Sequence, residues 1–316
     1  MPALALVLAV AFAAPPNAVA VADGIELLPG AFVPGRQPDG NTVMIRAPEG
    51  WVVVDTGRHA AHAERILAHA SADGAPIVAI VNTHWHLDHV GGNPKLRAAH
   101  PDLVVHASDA IDAALPGFLA NYRTQLEGLA AAATDADAEA AFRTEIALID
   151  AGESLKPDRV VQASGDVDLG GRTLHVGLER RAATAGDVWL HDAATRTLVA
   201  GDLVTLPAPF LDTACPARMR ESLARLDAVD FERLVPGHGA PMTREAFGRY
   251  RAAFGALLDC AASDRPADAC VDGWVEGAAG LLGEADPKFV RGLVGYYVGE
   301  VLRGPPERIA AACAGP

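Results

Sequence analysis

Four side chains that can bind a metal fall within six residues of the segment Thr83–His89, which reads T-H-W-H-L-D-H. His84 and His86 are two positions apart, so both project to the same side of an extended chain. Asp88 and His89 are adjacent, and a turn there would direct them to a neighbouring point. Imidazole and carboxylate are good ligands for zinc and similar transition metals. We therefore predict that these four residues bind metal, because chance explains the set poorly, although any single histidine could be an ordinary surface or core residue.

The elements around this segment indicate how it would be held. It follows an apolar strand at Ile77–Val81, so it lies at the carboxyl end of that strand, and Gly91 and Gly92 then free the backbone to turn into a helix. Strand and helix patterns alternate over about two-thirds of the chain, which predicts a layered α/β core. The strands cluster in groups, which favours two mixed sheets over one parallel sheet.

Three further motifs, together with H-x-H-x-D-H, resemble those of the metallo-β-lactamase superfamily. They are the D-T-G at Asp55, the G-D ending at Asp202 and the P-G-H-G that contains His238. The resemblance covers residues 24–240. It implies an αββα sandwich of two mixed sheets flanked by helices, with metals at one edge between the sheets. It also implies a metal-bound hydroxide that attacks an ester-, thioester- or amide-type bond of a small molecule.

One motif departs from the family pattern. The family has G-H-T-x-G-D where this chain has A-A-T-A-G-D over residues 182–187, so Ala183 stands at the position of a histidine ligand. His175 and His191 each lie eight residues away on probable strands, and we interpret both as ordinary strand residues.

The resemblance implies a ligand set for two metal sites. Site one would use His84, His86 and Asp202, with the ligand position at Ala183 vacant. Site two would use Asp88, His89, Asp202 and His238, and is complete. The expected cofactor is one or two zinc ions, with iron or manganese as alternatives. Asp88 could also orient the nucleophile.

Two acidic residues of these motifs are not part of the implied ligand set. Asp55 and Asp187 could support the ligands through hydrogen bonds. A turn residue at the end of a strand is an equally good interpretation of Asp55, and Asp187 is similar.

Both ends of the chain carry further predictions. Residues 1–20 resemble a signal peptide, with an apolar run and an Ala18-Val19-Ala20 cleavage site but no preceding Lys or Arg, so we expect export to the periplasm or the medium. We assign residues 21–241 to the metallo-β-lactamase-like domain and residues 242–316 to a helical extension. Simple packing of this extension is favoured over a cap on the active site. In an exported protein four cysteines suggest two disulfides; Cys260–Cys270 is favoured, which leaves Cys215–Cys313, and four buried thiols are the alternative.

The charge limits the function classes. With 26 Lys and Arg against 40 Asp and Glu, the net charge of −14 disfavours nucleic acid as a partner, and no segment is long and apolar enough for stable membrane insertion. A metal-dependent hydrolase with a weakened first site is the favoured function. The alternatives are a β-lactam hydrolase and a catalytically impaired relative that acts as a binding protein. Oligomeric state cannot be predicted.

Overall fold

A computed structural model of the chain describes residues 18–31 and 37–314, which form two mixed β-sheets. The strands, numbered in chain order, are β1 (Val19–Ala22), β2 (Ile25–Leu28), β3 (Thr42–Ala47), β4 (Gly50–Val54), β5 (Ile77–Val81), β6 (Val104–Ala107), β7 (Arg159–Val160), β8 (Gly165–Leu169), β9 (Arg172–Arg180), β10 (Gly186–Asp192), β11 (Thr197–Thr205), β12 (Arg233–His238) and β13 (Met242–Thr243). The first sheet has the order β1-β2-β3-β4-β5-β6-β7, and the second has the order β13-β12-β11-β10-β9-β8.

Apolar residues on both faces of the central strands explain the layering. On β4, Val52 and Val54 point into the core between the sheets, whereas Trp51 and Val53 point to the opposite face, where they meet Ile66 of a flanking helix. This alternation is the two-residue period of a strand buried on both faces. The second sheet likewise buries one face against the first sheet and the other against helices, which gives the four layers of an αββα sandwich.

Helices cover both outer faces. They are α1 (Ala60–Ala72), α2 (Leu87–Val90), α3 (Asn93–Ala99), α4 (Ile111–Ala114), α5 (Ala120–Ala132), α6 (Ala136–Asp150), α7 (Pro216–Asp227), α8 (Arg244–Ala261), α9 (Ala267–Gly277), α10 (Pro287–Tyr296) and α11 (Pro306–Ala314). The start of α10 is well specified, because the Asp286 side chain accepts hydrogen bonds from the backbone of Lys288 and Phe289, and proline occupies the first turn.

Parallel pairing brings the motif residues to one edge. Strand β4 pairs in parallel with β5, and β11 pairs in parallel with β12, so the carboxyl ends of each pair meet. Asp55 follows β4, the T-H-W-H-L-D-H segment follows β5, and Asp202 and His238 lie on β11 and β12. The predicted fold class is confirmed.

Both favoured disulfides are present, Cys260–Cys270 and Cys215–Cys313. The predicted signal peptide falls largely on residues 1–17, outside the described residues; Val19 and Ala20 belong to β1. Within the described ranges, no helix is both long enough and apolar enough to cross a bilayer.

Candidate metal centre

The structure brings the six predicted ligand residues into two adjacent groups. Group one comprises His84, His86 and Asp202, and group two comprises Asp88, His89 and His238. The candidate ligand atoms within each group all lie within 4.8 Å of one another. All six side chains are largely buried, since even His238, the most open, is only 15% exposed.

Asp202 joins the two groups through its two oxygens. Oδ2 lies 3.7 Å from Nε2 of His84, and Oδ1 lies 3.3 Å from Nε2 of His89 and 3.7 Å from Nε2 of His238. The glycine of the P-G-H-G motif makes this position possible, because a Cβ at Gly237 would lie 1.9 Å from Oδ1 of Asp202. One carboxylate oxygen therefore faces each group.

Two threonines fix which nitrogen of each group-one histidine is free. The Thr83 hydroxyl donates to Asp55, so it can only accept from Nδ1–H of His84, at 2.9 Å. The Thr213 hydroxyl donates to the carbonyl of Ala183, so it can only accept from Nε2–H of His86, at 3.0 Å. The remaining nitrogens, Nε2 of His84 and Nδ1 of His86, lie 2.9 Å apart and carry the lone pairs that a metal requires.

Asp55 performs the same role for group two. Its carboxylate accepts from the backbone N–H and the hydroxyl of Thr83, both at 2.7 Å, and from Nδ1–H of His89 at 2.8 Å. It does so from a left-handed backbone conformation with φ of 62°, which is uncommon for a residue other than glycine. Asp55 thus orients both the His84 and His89 imidazoles.

Two buried ligand atoms of the metal centre lack the hydrogen bonds that buried polar atoms normally make. Among the described residues, Nε2 of His89 and Oδ1 of Asp202 have no hydrogen-bond partner, although they lie 3.3 Å apart. Both face the space that the group-two residues enclose. A cation that accepts both lone pairs would satisfy them, so the residues present fit a metal ion.

The pKa values agree with this fit. Burial lowers the pKa of His84 well below the ordinary value and that of His86 to about 4, so both imidazoles are neutral at pH 7 and available to a metal. Burial also acts to lower the pKa of His89, but the neighbouring carboxylates, chiefly Asp202, outweigh it and raise the pKa well above its ordinary value. Without metal a proton on His89 therefore balances part of the negative charge, and a metal would displace that proton.

A buried arginine that sequence reasoning missed holds Asp88. Arg58 follows the D-T-G motif, and its guanidinium lies 3.6 Å from Oδ1 of Asp88 and 3.0 Å from Oε2 of Glu145, which also accepts from the Tyr122 hydroxyl at 2.7 Å. The other oxygen of Asp88, Oδ2, lies 3.0 Å from Nε2 of His238. Burial acts to raise the pKa of Asp88, but His89, His238 and Arg58 together hold it well below the ordinary value.

Ala183 lies in a tight buried loop, fully shielded from solvent. Asp187 accepts hydrogen bonds from the backbone and hydroxyl of Thr184, at 3.0 and 2.9 Å, so it closes this loop. Burial raises the pKa of Asp187 to about 7.

Three other histidines lie outside both groups. His175 and His191 lie on strands, where His175 contacts Asp166 and His191 contacts a backbone carbonyl. His62, which lies on α1 just after the D-T-G motif, is only 2% exposed, and its ring packs against Gly57, where a Cβ would lie 2.5 Å from it.

A cavity of about 410 Å³ opens over both groups, with His86, Asp88, Asp202 and His238 among its lining residues. Helical segments outside the two sheets contribute to its walls, among them Phe118 before α5 and residues of α10. The expectation that the C-terminal helices only pack against the core therefore holds for α8 and not for α10.

Comparison with curated proteins gives two kinds of relative. The hydroxyacylglutathione hydrolase of Crocosphaera subtropica is 47% identical over 55 residues, which is 17% of this chain and 21% of that protein. The linear primary-alkylsulfatase of a Pseudomonas species is 26% identical over 222 residues, which is 63% of this chain and 41% of that protein. The chain thus spans less than half the length of either relative.

Solved structures and a family profile agree on the fold. A metallo-beta-lactamase from Pontibacter korlensis aligns with a TM-score of 0.56 and 18% identity, over 76% of this chain and 98% of that one. A metallo-beta-lactamase from Hirschia baltica aligns with a TM-score of 0.51 and 19% identity, over 76% of this chain and 97% of that one. The profile of the metallo-beta-lactamase superfamily matches residues 35–238, about two-thirds of the sequence and all of the motifs above. The chain belongs to the metallo-beta-lactamase superfamily.

Proposed function

We propose that this protein is a metal-dependent hydrolase that holds one or two zinc ions, with iron or manganese as alternatives, and cleaves an ester-, thioester- or amide-type bond of a small molecule. The observation that carries the proposal is the position of Asp202, whose two oxygens face two groups of donors with lone pairs aimed inward. Membership of the superfamily and the names of the hydrolase relatives support it.

The metal and Asp88 would have different roles in hydrolysis. When bound, the metal would lower the pKa of water towards neutrality and polarise the bond to be cleaved. Asp88 stays ionised at pH 7, and Arg58 and His238 fix its orientation, so it can accept a hydrogen bond from the attacking water and orient that water. Group one has three protein donors because Ala183 offers none, and we infer that it is the weaker site.

The test measures metal content and hydrolysis together. Protein purified without chelator is analysed for metal and assayed with a neutral nitrophenyl ester, an aryl thioester and a chromogenic β-lactam. We expect at least one equivalent of metal, and Asp88→Asn to lose about 100-fold in kcat. His175→Ala, a strand histidine outside both groups, serves as the control and should keep both properties.

The Ala183→His variant tests the weakness of group one. A fourth donor should raise metal occupancy and turnover, while overpacking of this buried loop costs about 1–3 kcal/mol of stability. No change in occupancy or turnover would show that group one is dispensable or that residue 183 does not face it. Less than about one-tenth equivalent of metal with no hydrolysis would favour the alternative of a binding protein. Hydrolysis of the β-lactam alone would favour the β-lactam hydrolase.

The proposed setting is outside the cytoplasm. Disulfides persist in oxidising compartments, and both cysteine pairs of this chain are bonded. This supports the prediction of export.

A further inference from the structure

Two aromatic walls rise from the metal centre to the mouth of the cavity. The first begins at Trp85, whose ring lies 4.5 Å from His86, and continues to Phe118 at 5.4 Å. The second begins at Phe210, whose ring lies 5.0 Å from His86, and continues to Tyr297 at 6.2 Å. His86 thus stands at the foot of both walls.

The walls come from segments beyond the two sheets. Phe118 belongs to the helical insertion between β6 and β7, whereas Phe289, Leu293 and Tyr296 come from α10 of the C-terminal helices. These segments would enclose whatever part of a substrate extends away from the bond at the metal centre.

Large apolar side chains are exposed at the mouth of the cavity. Phe118, Phe289 and Tyr296 are 42%, 40% and 40% exposed, and all three line this one cavity. They are half of the strongly exposed large hydrophobic side chains among the described residues. Exposed apolar side chains gathered around a concave site are a feature of ligand-binding surfaces.

Arg58 and Asp212, two charged side chains that line the cavity, already have partners. Arg58, the only arginine or lysine among the described lining residues, is held between Asp88 and Glu145. Asp212 at the mouth accepts from the Tyr296 hydroxyl and pairs with Arg308. The described walls therefore offer no spare cation to an anionic group of the ligand.

We propose that these two walls form an apolar subsite, which selects substrates that carry a medium-length, uncharged acyl or alkyl group next to the bond that is cleaved. The inference rests on the proposed hydrolase function for its kinetic test. The binding test of the subsite depends only on the two aromatic walls and not on the hydrolase function.

The kinetic test uses nitrophenyl esters of acetate, butyrate, hexanoate and octanoate with the metal-loaded full chain. Burial of each methylene should raise kcat/KM by about threefold to fourfold until the cavity is filled. The mono-nitrophenyl ester of adipate matches the hexanoate ester but ends in a carboxylate, and it should react at least about tenfold more slowly.

Two variants locate the subsite. Phe118→Ala and Phe289→Ala each remove one exposed ring from the mouth of the cavity, and each should flatten the dependence of kcat/KM on chain length from acetate to octanoate. Leu129→Ala is the control, because Leu129 is equally exposed, at 49%, but lies on α5 and does not line the cavity. It should keep the wild-type dependence.

The binding test needs no chemistry. Alkyl phenyl ketones from acetophenone to octanophenone carry the apolar chain without a hydrolysable bond, and titration calorimetry with metal-free protein should show affinity that rises with chain length. Chain-dependent ketone binding without hydrolysis of any ester would leave the subsite standing and overturn the hydrolase. Hydrolysis without chain-length dependence, together with no ketone binding, would overturn the subsite and leave the hydrolase. Cleavage of alkyl sulfates with the same dependence would support the subsite and identify a sulfate ester as the bond.

Discussion

Replacement of Asp55 by asparagine should weaken metal binding through an exchange of histidine tautomers. Asparagine has nearly the same size and tolerates the left-handed φ of 62° at this position, and its carbonyl can still accept from the Thr83 backbone. Its amide, however, places N–H groups where the oxygen Oδ2 now accepts from Nδ1–H of His89 and from the Thr83 hydroxyl. These donors would face each other. Relief requires that His89 carry its proton on Nε2, the nitrogen that faces Asp88 and Asp202.

The same reversal reaches group one. If the Thr83 hydroxyl accepts from the new amide, it must donate to Nδ1 of His84, and the proton of His84 then moves to Nε2. Loss of a partner that orients a metal ligand costs about tenfold to 100-fold in affinity, or about 1.4–2.7 kcal/mol. Exchange of the buried carboxylate for a neutral amide also replaces two charge-assisted hydrogen bonds by weaker neutral ones, which should lower the stability of the metal-free protein by about 2–4 kcal/mol.

Zinc affinity is measured by competition with a chromophoric chelator, and stability by urea unfolding in the presence of excess chelator. Asp192→Asn is a matched control. Asp192 is also a buried aspartate, but it ends β10 outside both ligand groups and accepts hydrogen bonds from Arg172 and Thr195. It should lose stability and keep the zinc affinity. If Asp55→Asn binds zinc within about twofold of the wild type, the tautomer argument is refuted and Asp55 only shapes the turn.

Three further predictions address residues whose role appears only in the structure. Arg58→Met should lower kcat about tenfold and the free energy of unfolding by about 3 kcal/mol, because the buried carboxylates of Asp88 and Glu145 lose their partner. Addition of Glu145→Gln should restore stability but not kcat. Recovery of both would contradict the role of Arg58 in holding Asp88. Thr213→Val should lower the metal affinity of group one about tenfold, measured by calorimetry, and leave the affinity of group two unchanged. An equal loss of affinity at both groups would contradict the role of Thr213 in orienting His86. Burial lowers the pKa of His62 from 6.5 to about 4, so its contribution to stability is complete above pH 6.5 and falls by about 3 kcal/mol towards and below pH 4, because the unfolded chain binds the proton first. The difference in unfolding free energy between wild type and His62→Gln should therefore shrink between pH 7 and pH 4, and a constant difference would contradict the assignment.

From the sequence alone, the motifs predicted the fold class and the metal-capable residues, and the positions of the cysteines favoured one disulfide pairing over four free thiols. Residues close together in the sequence encode the first metal motif and the strands. His84, His86, Asp88 and His89 lie in one short segment, and the alternation of apolar residues on the strands specifies buried sheets. The order of the remaining motifs along the chain then implied the place of Asp202 and His238.

Only the tertiary structure decided how these residues are held and what surrounds them. Thr213 lies 127 positions from the His86 ring that it orients, and no local pattern marks it. Arg58 is next to a recognised motif, yet its partner Glu145 lies 87 positions away on a helix. The cavity unites Phe118 with Phe289 from opposite parts of the chain. The physical reason is that a tautomer, a buried ion pair and a cavity wall each depend on contacts between distant segments, whereas periodicity and motifs report only on neighbours along the chain.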